Sequence, residues 1–202
     1  MARASATTKR ATHERLLEAA AREFARLGLE RANIDVISLA AGCAKGTVYN
    51  YFSSKEELFL AVVEEACAQA VAFTRTAPEA SAREHLRATL AAFCDWARAN
   101  EAFARVLVRE CLMGTPDLYA RVISAEAPLV DAVERSLEEG SRRGELRDDV
   151  PIEVLALAIA GLVDLALVKH WASDSIAPTL DGIPELVLGL LLGPVSTAGT
   201  AS

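Results

Sequence analysis

The chain predicts an all-α protein, with an N-terminal three-helix head carrying a helix-turn-helix, a larger C-terminal helical bundle, and nine or ten helices in all. Three observations predict this. Strand signals are almost absent, while apolar residues recur at three- and four-residue spacing along most of the 202 residues. Residues 33–58 read as two short helices around a glycine turn, followed at once by a capped third helix. Charge divides in the same place: residues 1–56 hold nine Lys+Arg against six Asp+Glu, which leaves the remainder at −10 in a chain of net −7. The expected division is a basic head, 1–56, and an acidic body, 57–202.

From the N-terminus, the first eight residues, rich in alanine, threonine and serine, read as unstructured. Arg3, Lys9 and Arg10 fit a basic arm along DNA and a frayed end equally well. Leu16, Leu17, Ala20 and Phe24 then mark one face of a first helix ending near Gly28. In the next segment Ile34, Ile37 and Ala41 share a face, Gly42 permits a tight turn, and Val48 and Phe52 return apolar side chains to the same small core. Ser38 stays small where two helices cross. Lys45, Thr47, Tyr49, Asn50 and Tyr51 are left pointing outward, a set of donors and phenols that suits phosphates and base edges. Packing alone poorly explains two phenols beside Lys45 and Lys55, whereas Phe52 reads simply as core.

Over residues 12–63 the chain resembles the tetracycline-repressor (TetR) family of transcriptional regulators. The resemblance is carried by Leu16, Leu17, Ala20, Phe24 and Gly28, by Ala-Gly-Cys-Ala at 41–44, Gly-Thr-Val-Tyr at 46–49, Tyr51-Phe52 and Ser54-Lys55-Glu56. It implies that Lys45, Thr47, Tyr49 and Tyr51 face DNA, that Lys55 holds a phosphate, and that Asn33 opens the first helix of the motif. The chain departs from the family pattern at Ala32, Ser38, Cys43 and Ala44, and Ala44 removes a hydroxyl that would cap the second helix.

The body reads as successive amphipathic helices. Ser54 with Glu57 and Ser81 with Glu84 form capping boxes, Asn100 caps another start, and Thr115-Pro116 a further one. Stripes at Leu58, Val62, Val63 and Ala66, at Leu86, Leu90, Phe93 and Ala97, and at Phe103, Val106 and Leu107 face a shared interior. Pro78, Gly114, Gly144 and Pro178 punctuate them. Pro128 should kink or divide the helix running from Pro116 to Arg143. The last nine residues, from Pro194, read as unstructured.

Residues 151–172 and 183–193 are apolar around most of their circumference, which asks for a second surface to cover them. A two-fold homodimer supplies it as a four-helix bundle, with Leu155, Ile159, Leu162, Leu165, Leu188 and Leu191 as expected interface residues. Two heads about 34 to 36 Å apart then read a pseudo-palindromic double-stranded operator.

The helix from Lys55 to about Arg75 runs from the head into the bundle, so a small molecule favouring one head spacing would shift operator affinity. A ligand-responsive repressor follows as the expected function. Trp96, Phe103, Cys111, Met113, Tyr119, His170 and Trp171 are the bulky or polarisable candidates for lining the effector pocket, with Arg105 or Arg109 available to an anionic group. Asp164 stands out within its apolar run.

Other classes find little support. There is no nucleophile elbow, no glycine-rich phosphate cradle and no convincing Ser, His and Asp set, so an enzyme is not expected. Cys43, Cys67, Cys94 and Cys111 lie far apart, as do His13, His85 and His170, and neither a metal, a disulfide framework nor a cofactor is legible. The cysteines read as small hydrophobes in a reducing cytoplasm rather than as a thiol sensor. The most apolar run, Val154–Val163, is followed by Asp164 and soon by Lys169 and is too short to span a membrane, so a soluble cytoplasmic protein is expected. The alternatives left open are a helical dimer acting through protein partners and a thiol-responsive regulator.

Overall fold

The structure is a computed structural model that describes residues 2–73, 81–113, 118–146, 149–173 and 178–192. Among the described residues there are nine α-helices and no strand. The helices are α1 (Ala2–Arg31), α2 (Ile34–Ala40), α3 (Lys45–Tyr49), α4 (Lys55–Phe73), α5 (Ala82–Ala99), α6 (Glu101–Met113), α7 (Tyr119–Arg142), α8 (Ile152–Trp171) and α9 (Ile183–Leu192). No helix among the described residues is long and apolar enough to cross a membrane.

By its contacts the chain forms two compact units, one of residues 1–70 and 96–127, the other of residues 71–95 and 128–202. The boundaries fall inside α4, α5 and α7 rather than at a linker.

In the first unit α1 packs against α2 and α6, and α2 against α3. Leu16, Ala20, Phe24, Ile37, Val48, Leu58, Val62 and Val63 are buried there, and Phe24 meets Phe59 edge to face at 5.1 Å. Trp96 is fully buried and donates its indole N–H to Gln69 Oε1 at 3.3 Å, tying α5 to α4. In the second unit α8 packs on α9, and Leu86, Leu90, Leu137, Leu155, Ile159, Leu167, Ile183 and Leu188 form the interior.

Several expectations are corrected. The N-terminal residues are helical from Ala2 onward, because an alanine-rich stretch simply extends α1. Pro128 lies inside α7 and does not divide it, and buried Val122 before the proline and buried Leu137 after it anchor the two stretches. Asn100 sits between α5 and α6, where its amide donates back to Trp96 O at 3.1 Å and closes the end of α5, while its own carbonyl accepts the first bond of α6. The boxes at the other helix starts form. Ser81 and Glu84 exchange bonds in both directions, whereas Glu57 receives Ser54's cap but returns its carboxylate to the Ser53 N–H and hydroxyl. Pro78, Gly114, Thr115-Pro116 and the segment from Pro194 lie outside the described residues.

Candidate nucleic-acid interface

Local chemistry fixes the helix-turn-helix from its first residue. Asn33 is extended and accepts the Asp35 N–H on its side-chain oxygen at 2.8 Å, so it caps α2 as expected. Glu23, buried in α1, accepts the Asn33 N–H at 3.4 Å on one oxygen and pairs with Arg26 at 2.9 Å through the other. A carboxylate thus sits at the positive end of α2. Helix α2 ends at Gly42, whose φ of +69° is the left-handed conformation that lets Gly42 N–H reach Leu39 O and Cys43 N–H reach Ser38 O, each at 3.0 Å. Ser38 is buried and returns its hydroxyl to Asp35 O at 3.0 Å, which leaves room for the crossing of α2 and α3.

Helix α3 starts without a side-chain cap, since Ala44 has no acceptor. Val48 and Phe52 are buried, and this inward anchor turns the rest of the helix out. Lys45 and Asn50 are exposed, Thr47 is half-buried, and Tyr49 is 48% exposed. Lys45 Nζ pairs with Asp35 Oδ2 at 3.0 Å, both groups facing water, an arrangement that holds the ammonium over the α2–α3 corner at little energetic cost to release.

Tyr51 behaves differently from Tyr49. Its hydroxyl donates to Lys9 O at 3.1 Å, Lys9 Nζ lies 5.9 Å from its ring centre, and His13 packs against both Tyr51 and Phe52. It fastens the end of the reading helix to α1, and sequence reasoning missed this because the partners lie 42 residues apart. Lys55 Nζ likewise donates to Glu30 O at 2.9 Å and ties the first turn of α4 to the end of α1. Five of the seven predicted residues, Asn33, Lys45, Thr47, Tyr49 and Asn50, lie on α2, α3 or their caps, with Tyr51 and Lys55 immediately beyond.

The predicted pocket residues are distributed over both units. Trp96 and Phe103 are buried in the packed first unit, Tyr119 is 58% exposed, and His170 and Trp171 are half-buried at the end of α8 in the second unit. The side chains of Cys111 and Met113 lie outside the described residues. Bulk alone does not separate core fillers from cavity walls. The described residues do contain one orphan: the Thr89 hydroxyl on α5 is buried with no hydrogen-bond partner.

The predicted interface leucines also divide. Leu155, Ile159 and Leu188 are buried within the chain, and Leu162 and Leu191 are half-buried. Of that set, Leu165 alone is exposed. The apolar side chains that face water are Val154, Leu157, Leu165 and Val168 on α8, with Leu186 and Leu190 on α9. Leu157 is 72% exposed and Leu190 64%.

Among the described residues no cluster of His, Cys, Asp and Glu could hold a metal ion. The Cys67 thiol is pushed up to about 12 by burial and by the carboxylates of Glu126 and Glu64, the reverse of what a reactive thiolate needs.

Comparison with known proteins matches this geometry. A family model described as bacterial regulatory proteins, tetR family, covers residues 16–62, and one described as tetracyclin repressor-like, C-terminal domain, covers residues 83–178. The chain is 30% identical over 176 residues to the HTH-type transcriptional repressor AcnR of Corynebacterium diphtheriae, with 86% of this chain and 88% of that protein aligned. Its fold is similar to that of the transcriptional regulator FadR from Bacillus subtilis, solved with stearoyl-CoA, at TM-score 0.77 and 21% identity over 90% of this chain and 98% of that one. It is also similar to AibR, solved with isovaleryl coenzyme A and operator DNA, at TM-score 0.72 and 22% identity over 91% and 99% of the two chains. The helix-turn-helix with its outward α3, together with these matches, makes the chain a member of the tetR family of bacterial regulatory proteins, a DNA-binding transcriptional repressor.

Proposed function

We propose that α3 enters the major groove, with Lys45, Thr47, Tyr49 and Asn50 meeting base edges and phosphates, while Asn33 and Lys55 set the helix starts that flank it. The observation that carries this reading is the division of α3 itself. Val48 is buried, and the exposed residues around it are a cation, a phenol and an amide rather than the acidic mixture of an ordinary solvated helix. Tyr51 acts as a brace between α3 and α1 more than as a reader. The reading head is residues 1–56 and the effector and dimerisation body residues 57–202. The protein works in the cytoplasm and catalyses no reaction.

Dimerisation uses the exposed face of α8 and α9. Val154, Leu157, Leu165 and Val168 recur at helical spacing along one side of α8, and Gly161 falls within that stripe. A side chain at Gly161 would meet nothing within the chain. A helix-interior glycine costs about 1 kcal/mol relative to alanine, so its use there is explained by close approach of a second α8.

The effector enters the helical body, and the buried Thr89 hydroxyl is the polar anchor it satisfies. The class we put forward is an acyl-CoA thioester, because two proteins of similar fold were solved with such ligands. The deciding experiment is a gel shift of the full chain on the DNA upstream of its own gene, followed by titration with acyl-CoAs of increasing length. The reading expects salt-sensitive, sequence-selective binding that one acyl-CoA releases. Binding that ignores sequence would remove the repressor reading, and indifference to every acyl-CoA would remove the effector class.

A further inference from the structure

A cationic recess of about 380 Å³ lies between α1 and α6, away from α3, and its charged lining is Arg22, Arg26, Arg105 and Glu101. Three guanidinium groups therefore share it with a single lining carboxylate, in a chain of net charge −7. Glu101 pairs with Arg105 at 2.7 Å, and Arg26 pairs with Glu23 at 2.9 Å. Arg22 makes no ion pair among the described residues. Like charges gathered in this way repel, and the apolar core gains nothing from them, so the arrangement is explained by an anion that they share. Planar guanidinium forks match tetrahedral oxyanions, and more than one fork favours a multiply charged oxyanion over a lone carboxylate. The larger neighbouring cleft, about 660 Å³, carries Glu14, Glu18, Glu65 and Glu101 against Arg10 and Arg22, so its carboxylates outnumber its arginines and an anion is favoured at the arginine end.

The recess is wired to the reading head through a chain of contacts within one unit. Arg26 holds one oxygen of the buried Glu23 carboxylate, and the other oxygen accepts the Asn33 N–H. Asn33 caps α2 through Asp35 N–H, and Asp35 pairs with Lys45 on α3. An anion that draws Arg26 toward the recess takes a partner from Glu23, and the change falls on the cap of the helix-turn-helix. We propose that Arg22, Arg26 and Arg105 form a phosphate-class anion site, for a free oxyanion or for the terminal phosphates of a nucleotide-sized molecule, whose occupancy alters the α2 cap through Glu23. This site is separate from the effector site in the helical body and does not depend on its identity.

The test titrates the full-length dimer with sodium pyrophosphate and, separately, with ADP, by calorimetry at constant ionic strength. Hydrogen exchange of the segment 33–49 is followed in the same samples. Saturable binding that weakens at least tenfold in the Arg22→Gln, Arg105→Gln double variant supports the site, and both positions are solvent-accessible, so the variant keeps its fold. Altered exchange over 33–49 in the unsubstituted chain, absent from the double variant, supports the link to the α2 cap. ADP binding at least tenfold tighter than pyrophosphate assigns the oxyanion to a larger ligand, and equal or weaker binding assigns it to a free ion. Failure of both probes to saturate, or equal binding by the double variant, overturns the site. Binding without any change over 33–49 overturns the link to α2.

Discussion

The guanidinium of Arg109, on α6, lies against the backbone of Gly28, where α1 turns out of helical geometry at φ +72°. A side chain built on Gly28 would stand 2.6 Å from Arg109 Cζ, a flexible end that can shift, so this glycine is required by its backbone angle. The turn it makes lets Ala32 N–H reach Gly28 O at 3.2 Å and delivers the chain to Asn33, the cap of α2. Position 28 therefore sets the angle at which the helix-turn-helix leaves α1.

Gly28→Ala tests that claim by chemical denaturation. Extended backbone at positive φ costs a residue with a Cβ about 1 to 3 kcal/mol, and the exposed, flexible Arg109 can move aside. The expected loss is in that range and largely persists in the Gly28→Ala, Arg109→Ala double variant. A chain with Gly28→Ala that unfolds at the original denaturant concentration would contradict the backbone account.

Position along α8 separates two kinds of leucine. Leu157→Glu or Leu190→Glu should yield folded monomers by light scattering at micromolar concentration, because a charge is placed on the exposed stripe. Leu155→Ala should instead cost about 2 to 5 kcal/mol of stability, because that side chain fills the interior. A folded dimer in the Leu157→Glu chain would move the interface elsewhere.

The fold was largely legible in the chain because its signals are local. The cap at Asn33, the turn at Gly42, the box at Ser81 and the stripe through Leu58 and Val62 each depend on residues within a turn or two of one another. The N-terminal extension and a division of α7 at Pro128 were misread where tertiary burial and helix continuation override local preference. The outward side of α3 was legible for a similar reason, since one buried Val48 fixes the orientation of a five-residue helix. Tyr51 against Lys9, Glu23 against Asn33 and Arg109 against Gly28 were not, because each joins separate helices and leaves no periodic trace. The interface leucines fell between these cases. Periodicity found that α8 and α9 have two apolar sides, but it does not say which side faces inward.

Thr89 allows a test of the effector anchor. Thr89→Val removes a buried hydroxyl that has no partner, so stability should stay level or rise by about 1 to 3 kcal/mol in thermal unfolding. Operator affinity without effector should be unchanged, while the effector concentration needed for release should rise several-fold. Unaltered release by effector would take Thr89 out of the pocket.

Acid should loosen the helix starts in a defined window. Hydrogen bonds from the Ser53 and Ser81 side chains, then from their backbone N–H groups, hold Glu57 and Glu84 below the ordinary value of 4.5. Each carboxylate contributes its stabilisation in full above that ordinary value and loses it as pH falls through the lowered folded value. Glu57→Gln with Glu84→Gln should therefore flatten the acid limb of the stability profile, followed by helical circular dichroism, with little effect at pH 7 on its slope. An acid limb as steep as the original would show that other carboxylates govern it.

The most direct measurement is operator affinity against salt for the unsubstituted chain, Lys45→Ala and Tyr49→Ala, using DNA upstream of its own gene. If α3 reads the groove, each variant keeps its thermal stability and its dimer, Tyr49→Ala loses affinity at the specific site by about tenfold or more, and Lys45→Ala also lowers the salt slope by about one per head. Unchanged affinity and slope in both variants would contradict it.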